Sequence, residues 1–266
     1  MTLLNEWGSF MSYFTVDRSN GITHLKLNRP DKMNALNQDS LRELKHQLQS
    51  IEDNQDSIVI LSGNGKGFCA GGDLAMMQGT RDKQAYEEVM DDIEEVMMRL
   101  FLMKKLVISA VHGPAVGLGL SLALACDYVL AHKEASLSMN FIGVGLLPDG
   151  GGHFWLQERL GTQRAKLFAW KGKAFSGEEA LTEGLVDEVC EGGVEDAAQN
   201  LAAYWSRRPL QAMIRSKRVY HGQSVQRLKQ LMDQERLHQF ELRHTDDHKE
   251  AVAAFMEQRS PVFKGE

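Results

Sequence analysis

Two glycine-rich segments, each placed after an apolar run, carry backbone groups that could do chemistry. The first reads FCAGGD at residues 68–73, after the run 57–62, and the second reads HGPAVGLG at 112–119, after the run 106–111. Apolar runs of this length that stop at glycines are typical of buried strands. A helical pattern follows each turn, so the first amides after each strand lack intrahelical partners. Two such turns side by side can aim two N–H groups at one oxygen, which is how an oxyanion hole is built.

Asp149 is the carboxylate whose position suits proton transfer. It lies in the sequence GLLPDGGG at residues 145–152, a loop of apolar and glycine residues. The other carboxylates between 113 and 152 are Asp127, predicted at a helix-to-strand junction, and Glu134, predicted in a surface turn. Burial in an apolar pocket should raise the pKa of Asp149, whereas a helix N-terminus should lower it. The sequence leaves open which effect is larger, and also whether Asp149 caps the following helix.

The two glycine-rich segments and the Asp149 loop lie between predicted strands and helices, which would hold them in place. Strands are predicted at 22–28, 57–62, 106–111, 127–131, 136–139 and 185–189. Helices are predicted after the capping residues 37–40, and at 82–103, 117–126, about 151–159 and from Ser176. The alternation through residue 190 indicates an α/β core. From about Val194 the chain is predicted to be wholly helical.

Composition narrows the class of protein. The 30 basic and 36 acidic residues give a net charge of −6, which argues against a nucleic-acid partner. Three cysteines without metal-ligand spacing fit a reduced, cytoplasmic setting, and no metal site is expected. The first ten residues lack the basic region of a signal peptide. The uncharged stretch 106–125 is long enough to suggest a membrane span, but its interruption at 112–114 favours a strand, a turn and a buried helix, without a membrane.

The chain resembles the enoyl-CoA hydratase/isomerase family, also called the crotonase superfamily, over roughly residues 13–264. The resemblance is carried by RP and NAL within 29–36, FCAGGD at 68–73, ALACD at 123–127 and SPVFK at 260–264. It implies a spiral of ββα units with a helical C-terminal oligomerisation region. The implied division is a crotonase core over residues 1–194 and a trimerisation region over 195–266. The implied assembly is a homotrimer or a dimer of trimers.

The resemblance also assigns roles to residues. The backbone N–H groups of Gly72 and Leu118 would hold the thioester carbonyl of an acyl-CoA, and a leucine is acceptable there because the donor is main-chain. No cofactor is expected beyond the coenzyme A of the substrate. The residues implied to bind the substrate are Lys32, Ala35, Lys66, Ala70, Gly71, Asp73, Phe141, Phe263 and Lys264, the last two at the CoA of a neighbouring subunit. Lys32 and Lys66 could each equally be a solvated surface charge.

One departure from the family pattern decides the predicted reaction. Hydratases of the family use two glutamates, and the matching positions here are Ser121 and Phe141, neither of which can exchange a proton with carbon. The sequence LPDGGG around Asp149 resembles family isomerases that move a double bond, including the ring isomerase of the phenylacetate pathway. One carboxylate can shuttle a proton between two carbons while an oxyanion hole holds the dienolate. We therefore predict an enoyl-CoA isomerase with Asp149 as acid and base.

Three alternatives remain open. A hydratase could use water held by Asp149 alone. An aryl-CoA dehalogenase would use an aspartate of this loop as nucleophile, but it also needs a histidine partner, and no histidine lies between His46 and His112. A protein of another class would bind acyl-CoA thioesters without turnover.

Overall fold

A computed structural model describes residues 12–73 and 82–266. The prediction that no signal peptide begins the chain falls on residues outside these ranges. The strands are β1 (Phe14–Ser19), β2 (Ile22–Leu27), β3 (Ile58–Gly63), β4 (Leu106–Val111), β5 (Pro114–Val116), β6 (Tyr128–His132), β7 (Ser136–Ser138), β8 (Phe175–Ser176) and β9 (Glu188–Cys190). The helices are α1 (Gln38–Asp53), α2 (Lys83–Leu102), α3 (Leu118–Leu124), α4 (Gly152–Lys171), α5 (Gly177–Glu183), α6 (Val194–Trp205), α7 (Leu210–Leu242) and α8 (Asp246–Met256).

A six-stranded sheet in the order β1-β2-β3-β4-β6-β9 organises the chain. Strands β1 and β2 form an antiparallel hairpin, and the other neighbours are parallel. Strands β5, β7 and β8 form a second, small sheet. Because β3 and β4 are parallel neighbours, the glycine-rich segments that follow them leave the sheet at the same edge. The α/β architecture and the helical C-terminal region are confirmed.

Both faces of the large sheet are covered, which explains the continuous apolar runs of its central strands. In β3, Val59 and Leu61 belong to the main core, which helices α1, α2 and α4 also line. Ile58 and Ile60 face the other way, toward Ala198 and its neighbours on α6. This alternation follows from the two-residue period of a strand.

Most predicted elements are confirmed, with three kinds of correction. The prediction of a strand at 185–189 is wrong in its first half, because Leu185 and Val186 are buried in a turn after α5 and pairing begins only at β9. Helix α4 continues past the predicted end at Arg159 to Lys171, with non-helical backbone at Gly161. Strands β1, β5 and β8 were not predicted, and the last two have only three and two residues.

The uncharged stretch 106–125 divides into β4, the turn, β5 and α3, as the break at 112–114 predicts. Among the residues that the structure describes, no helix has the length and apolar character needed to cross a membrane.

Candidate active site

The two glycine turns run side by side. Cys69 N–H donates to Pro114 O at 3.0 Å, and Val116 N–H donates to Cys69 O at 3.0 Å. A side chain at position 119 is excluded by this contact, because a Cβ on Gly119 would lie 2.3 Å from Cys69 O. The glycines therefore allow a close approach of backbone to backbone.

Two amides remain available at this junction. Gly71 O accepts from Leu36 N–H and Asp73 N–H donates to Leu36 O, both at 2.8 Å, so the intervening Gly72 N–H lies on the opposite side of the chain. Leu118 is the first residue of α3, where N–H groups lack helical partners. Within residues 12–73 and 82–266, neither Gly72 N–H nor Leu118 N–H donates to a backbone carbonyl. A Cβ on Gly71 would lie 3.5 Å from Leu118 N, so the two turns meet here.

The segment 32–36 packs against the first turn. Ala70 N–H donates to Met33 O at 2.9 Å, and the Arg29 guanidinium lies 3.1 Å from the Asp73 carboxylate. The buried Asn34 holds the loop from inside, with Nδ2 donating to Gly67 O at 2.8 Å. These contacts bring Ala35, Ala70, Gly71 and Asp73 together. Lys32 and Lys66 are both exposed beside the same loop.

The positions where the family's hydratases carry glutamates are occupied by Ser121 and Phe141. Both pack beside the glycine turn or the Asp149 loop, and neither has an acidic side chain. Ser121 is fully buried and donates from Oγ to Asp149 O at 2.8 Å. The Phe141 ring is also buried, and a Cβ on Gly117 would lie 3.3 Å from it. Ser121 thus helps to fix the backbone of the Asp149 loop, and Phe141 packs against the turn that presents Leu118 N–H.

Asp149 lies in a loop that covers the start of α3. A Cβ on the next residue, Gly150, would lie 2.6 Å from Leu118 Cδ1. The Asp149 side chain is buried, and Gln239 Nε2 donates to its Oδ2 at 3.2 Å. Its Oδ1 is buried without a hydrogen-bond partner among the described residues. Burial, followed by the negative charge of Glu235, raises the pKa of Asp149 to about 7, against the opposing effects of Arg243 and His153.

Glu235 explains why the helix N-terminus does not keep the pKa of Asp149 low. Its carboxylate accepts from Gly151 N–H at 2.8 Å and from His153 N–H at 3.0 Å, and His153 Nδ1 lies 2.8 Å from Oε1. The N-cap position of α4 belongs to Gly151. The interpretation of Asp149 as a side-chain cap is therefore wrong, because Glu235 occupies the free amides and the positive end of the helix.

Sequence reasoning missed Glu235, Gln239 and Arg243. They are spaced four residues apart at the end of α7, where Arg243 is the C-cap residue, so they share one helix face. Glu235 and Gln239 are 2% and 1% exposed, which is rare for such side chains unless they are paired. The signal available in the sequence was this polar i, i+4, i+8 stripe within a helix that is otherwise expected to bury apolar side chains.

Phe263 and Lys264 lie elsewhere in the single chain. Lys264 N–H and Gly265 N–H donate to the two oxygens of Asp247 at 2.6 and 2.8 Å, which ties the C-terminal tail to the start of α8. The Phe263 side chain is exposed. No hydrogen bond or ion pair joins them to the glycine turns among the described residues, and their predicted role at a neighbouring subunit's CoA stays a prediction.

Comparison with known proteins identifies the family. The family model described as enoyl-CoA hydratase/isomerase matches residues 17–266. Over 243 residues the chain is 44% identical to the Bacillus subtilis (strain 168) protein named "Putative enoyl-CoA hydratase/isomerase YhaR", covering 91% of this chain and 95% of the relative. It is 33% identical over 250 residues to 1,2-epoxyphenylacetyl-CoA isomerase of Escherichia coli (strain K12), covering 92% and 95%.

A solved structure of an enoyl-CoA hydratase has the same fold. The crystal structure of an enoyl-CoA hydratase from Mycobacterium avium subsp. paratuberculosis K-10 matches with a TM-score of 0.85 and 27% identity, covering 95% of this chain and 98% of that one. The fold, with its paired glycine turns, is that of the crotonase class. The chain belongs to the enoyl-CoA hydratase/isomerase family.

Proposed function

We propose that this protein is an enoyl-CoA isomerase, in which Asp149 moves the proton and the amides of Gly72 and Leu118 hold the thioester oxygen. The observation that carries the proposal is the buried carboxyl group of Asp149, which lies in a loop packed on Leu118 and has one oxygen without a hydrogen-bond partner among the described residues. A pKa of about 7 suits a group that must accept a proton from carbon and then return it.

The neighbouring carboxylate does not supply a second acid. Both oxygens of Glu235 are engaged, with Gly151 N–H and with His153, and the side chain is 2% exposed. Ser121 and Phe141 offer none either. Hydration requires an activated water as well as a proton donor, whereas a double-bond shift needs one shuttling base. This difference favours isomerisation.

The reaction follows from these groups. Asp149 removes a proton from the α-carbon of a 3-enoyl-CoA, and the electron pair passes into a dienolate. The thioester oxygen then carries negative charge, which the two backbone N–H groups stabilise. Asp149 returns the proton at the γ-carbon, which leaves a 2-enoyl-CoA. In the same proposal Lys32, Lys66 and backbone groups near Ala70 hold the CoA portion of the substrate.

The products formed in deuterated water test the proposal. The wild-type protein is incubated separately with 3-enoyl-CoA and 2-enoyl-CoA thioesters. The products are separated and their molecular masses are measured. Interconversion of the two supports the proposal. A 3-hydroxyacyl-CoA as the main product identifies a hydratase, and binding without turnover identifies a binding protein; either result overturns the assignment.

A further inference from the structure

Gln239 reaches Asp149 from α7 and holds it in a defined way. Its Nε2 donates to Leu147 O at 2.8 Å and to Asp149 Oδ2 at 3.2 Å. An amide nitrogen carries two hydrogens, and both are used here. The two acceptors also fix the orientation of the amide, because the reversed group would place Oε1 against two oxygens.

The two oxygens of Asp149 are therefore not equivalent. Oδ2 accepts from Gln239, whereas Oδ1 has no partner within the described ranges. Gln239 Oε1 is also buried and without a partner there. Leaving buried polar atoms without partners costs stability. Such an arrangement is typical of a site where a ligand completes the contacts.

We propose that Gln239 is a positioning residue that reserves Oδ1 of Asp149 for the substrate, so that both proton transfers pass through this one oxygen. The inference rests on the proposed isomerisation. In the first transfer the α-carbon loses its proton to Oδ1, and the electron pair of the broken C–H bond enters the dienolate. In the second, dienolate electrons form the new γ-carbon–hydrogen bond, and Oδ1 becomes a carboxylate oxygen again. Oδ2 keeps its hydrogen bond to Gln239 throughout.

The surroundings of Asp149 give this hydrogen bond a measurable effect. Among the described residues, the charged or titratable groups that act on it are Glu235 from α7, Arg243 at the C-cap of α7, His153 from α4 and Tyr86 from α2. A hydrogen bond donated to a carboxylate favours its charged form. Gln239 therefore offsets part of the effect of burial and of Glu235, and its removal should raise the pKa of Asp149 further.

The first test is the substitution Gln239→Met, which keeps the side-chain length and removes both donors. Turnover of a 3-enoyl-CoA is measured as a function of pH, together with KM. We expect the acidic limb of the kcat profile to move up by about one pH unit, so that kcat at pH 7 falls about fivefold. KM should change less than about twofold, because the oxyanion donors are backbone groups. Gln234→Met, at an exposed position of the same helix, is the matched control and should follow the wild type.

A second variant keeps the proposal testable if Gln239→Met does not fold. Gln239→Glu has the same shape and adds a like charge beside Asp149, so its acidic limb should move up further than that of Gln239→Met. A profile that superimposes on the wild type in a folded Gln239 variant overturns the role of Gln239. Full turnover in Asp149→Asn overturns the proposed function instead, so the two failures are distinguishable.

Discussion

Glu235 accepts a hydrogen bond of 2.8 Å from the N–H of Gly151, which lies two residues after Asp149 in the chain. A carboxylate from the last long helix thus binds the N-terminus of α4, which would otherwise stabilise a charged Asp149. The same carboxylate repels the negative charge of Asp149 directly. Both effects favour the neutral acid, so α7 contributes to the chemistry as well as to packing.

The first prediction concerns the pH dependence of turnover. Since the pKa of Asp149 is raised to about 7 and the base must be ionised, kcat/KM should rise with pH and reach half its maximum near pH 7. Glu235→Gln removes the repelling charge while keeping an acceptor for the helix amides, so this midpoint should fall by about one pH unit. Glu241→Gln, an equal charge change at an exposed position of α7, should leave it unchanged. A midpoint in Glu235→Gln equal to or above that of the wild type would contradict the prediction.

The second prediction concerns stability. The pKa of Asp149 rises from 3.8 to about 7 on folding, so between these values the folded chain binds more protons than the unfolded chain. Stability is therefore lost as pH rises through this window and stays low above it. Asp149→Asn removes the buried charge. The free energy of unfolding of the variant, relative to that of the wild type, should therefore increase between pH 5 and pH 8 by roughly 2–3 kcal/mol.

Urea unfolding at both pH values and one protein concentration measures this difference. Asp233→Asn, an exposed carboxylate on α7, serves as the control and should show no such growth. A constant difference between Asp149→Asn and the wild type across the pH range would mean that Asp149 is ionised as easily in the folded chain as in the unfolded one.

The elements that present the backbone donors could be predicted from the sequence because their signals are local. The run 106–111 and the following glycines indicated a strand and a turn, and Asn37 caps α1 as its type predicted. The environment of Asp149 could not be predicted, because Glu235 and Gln239 lie far along the chain and reach it only through the packing of α7. Strand β8 has two residues, which is too short to leave a periodic pattern.

The third prediction concerns assembly. Phe255, Met256, Val262 and Phe263 are all exposed near the C-terminus of the single chain. Several exposed large apolar side chains within one short segment are typical of an interface. We expect a trimer or a multiple of three by sedimentation at micromolar concentration, and a monomer would contradict this.

The tail offers a finer test of the same assembly. Asp247→Ala removes the acceptors that hold Lys264 N–H and Gly265 N–H. If Phe263 and Lys264 contact the CoA of a neighbouring subunit, loosening the tail should raise KM several-fold and leave kcat close to the wild-type value. An unchanged KM would remove the tail from the CoA site, whatever the oligomeric state.

The last prediction tests the backbone donors through two adjacent glycines. Gly71 has φ +93°, and a Cβ there would lie 2.6 Å from Val116 O, so Gly71→Ala should destabilise the chain by about 1–3 kcal/mol. No described atom lies within 4 Å of a Cβ on Gly72, so Gly72→Ala should fold normally and keep its N–H. Gly72→Pro removes that donor, and kcat should fall by about 10²–10³. Turnover, thermal unfolding and CoA-thioester binding are measured for all three variants, with Leu118→Ala as a change of side chain that keeps the other donor. A folded Gly72→Pro protein with wild-type kcat would place the thioester oxygen away from these turns, because the variant lacks the N–H group assigned to it.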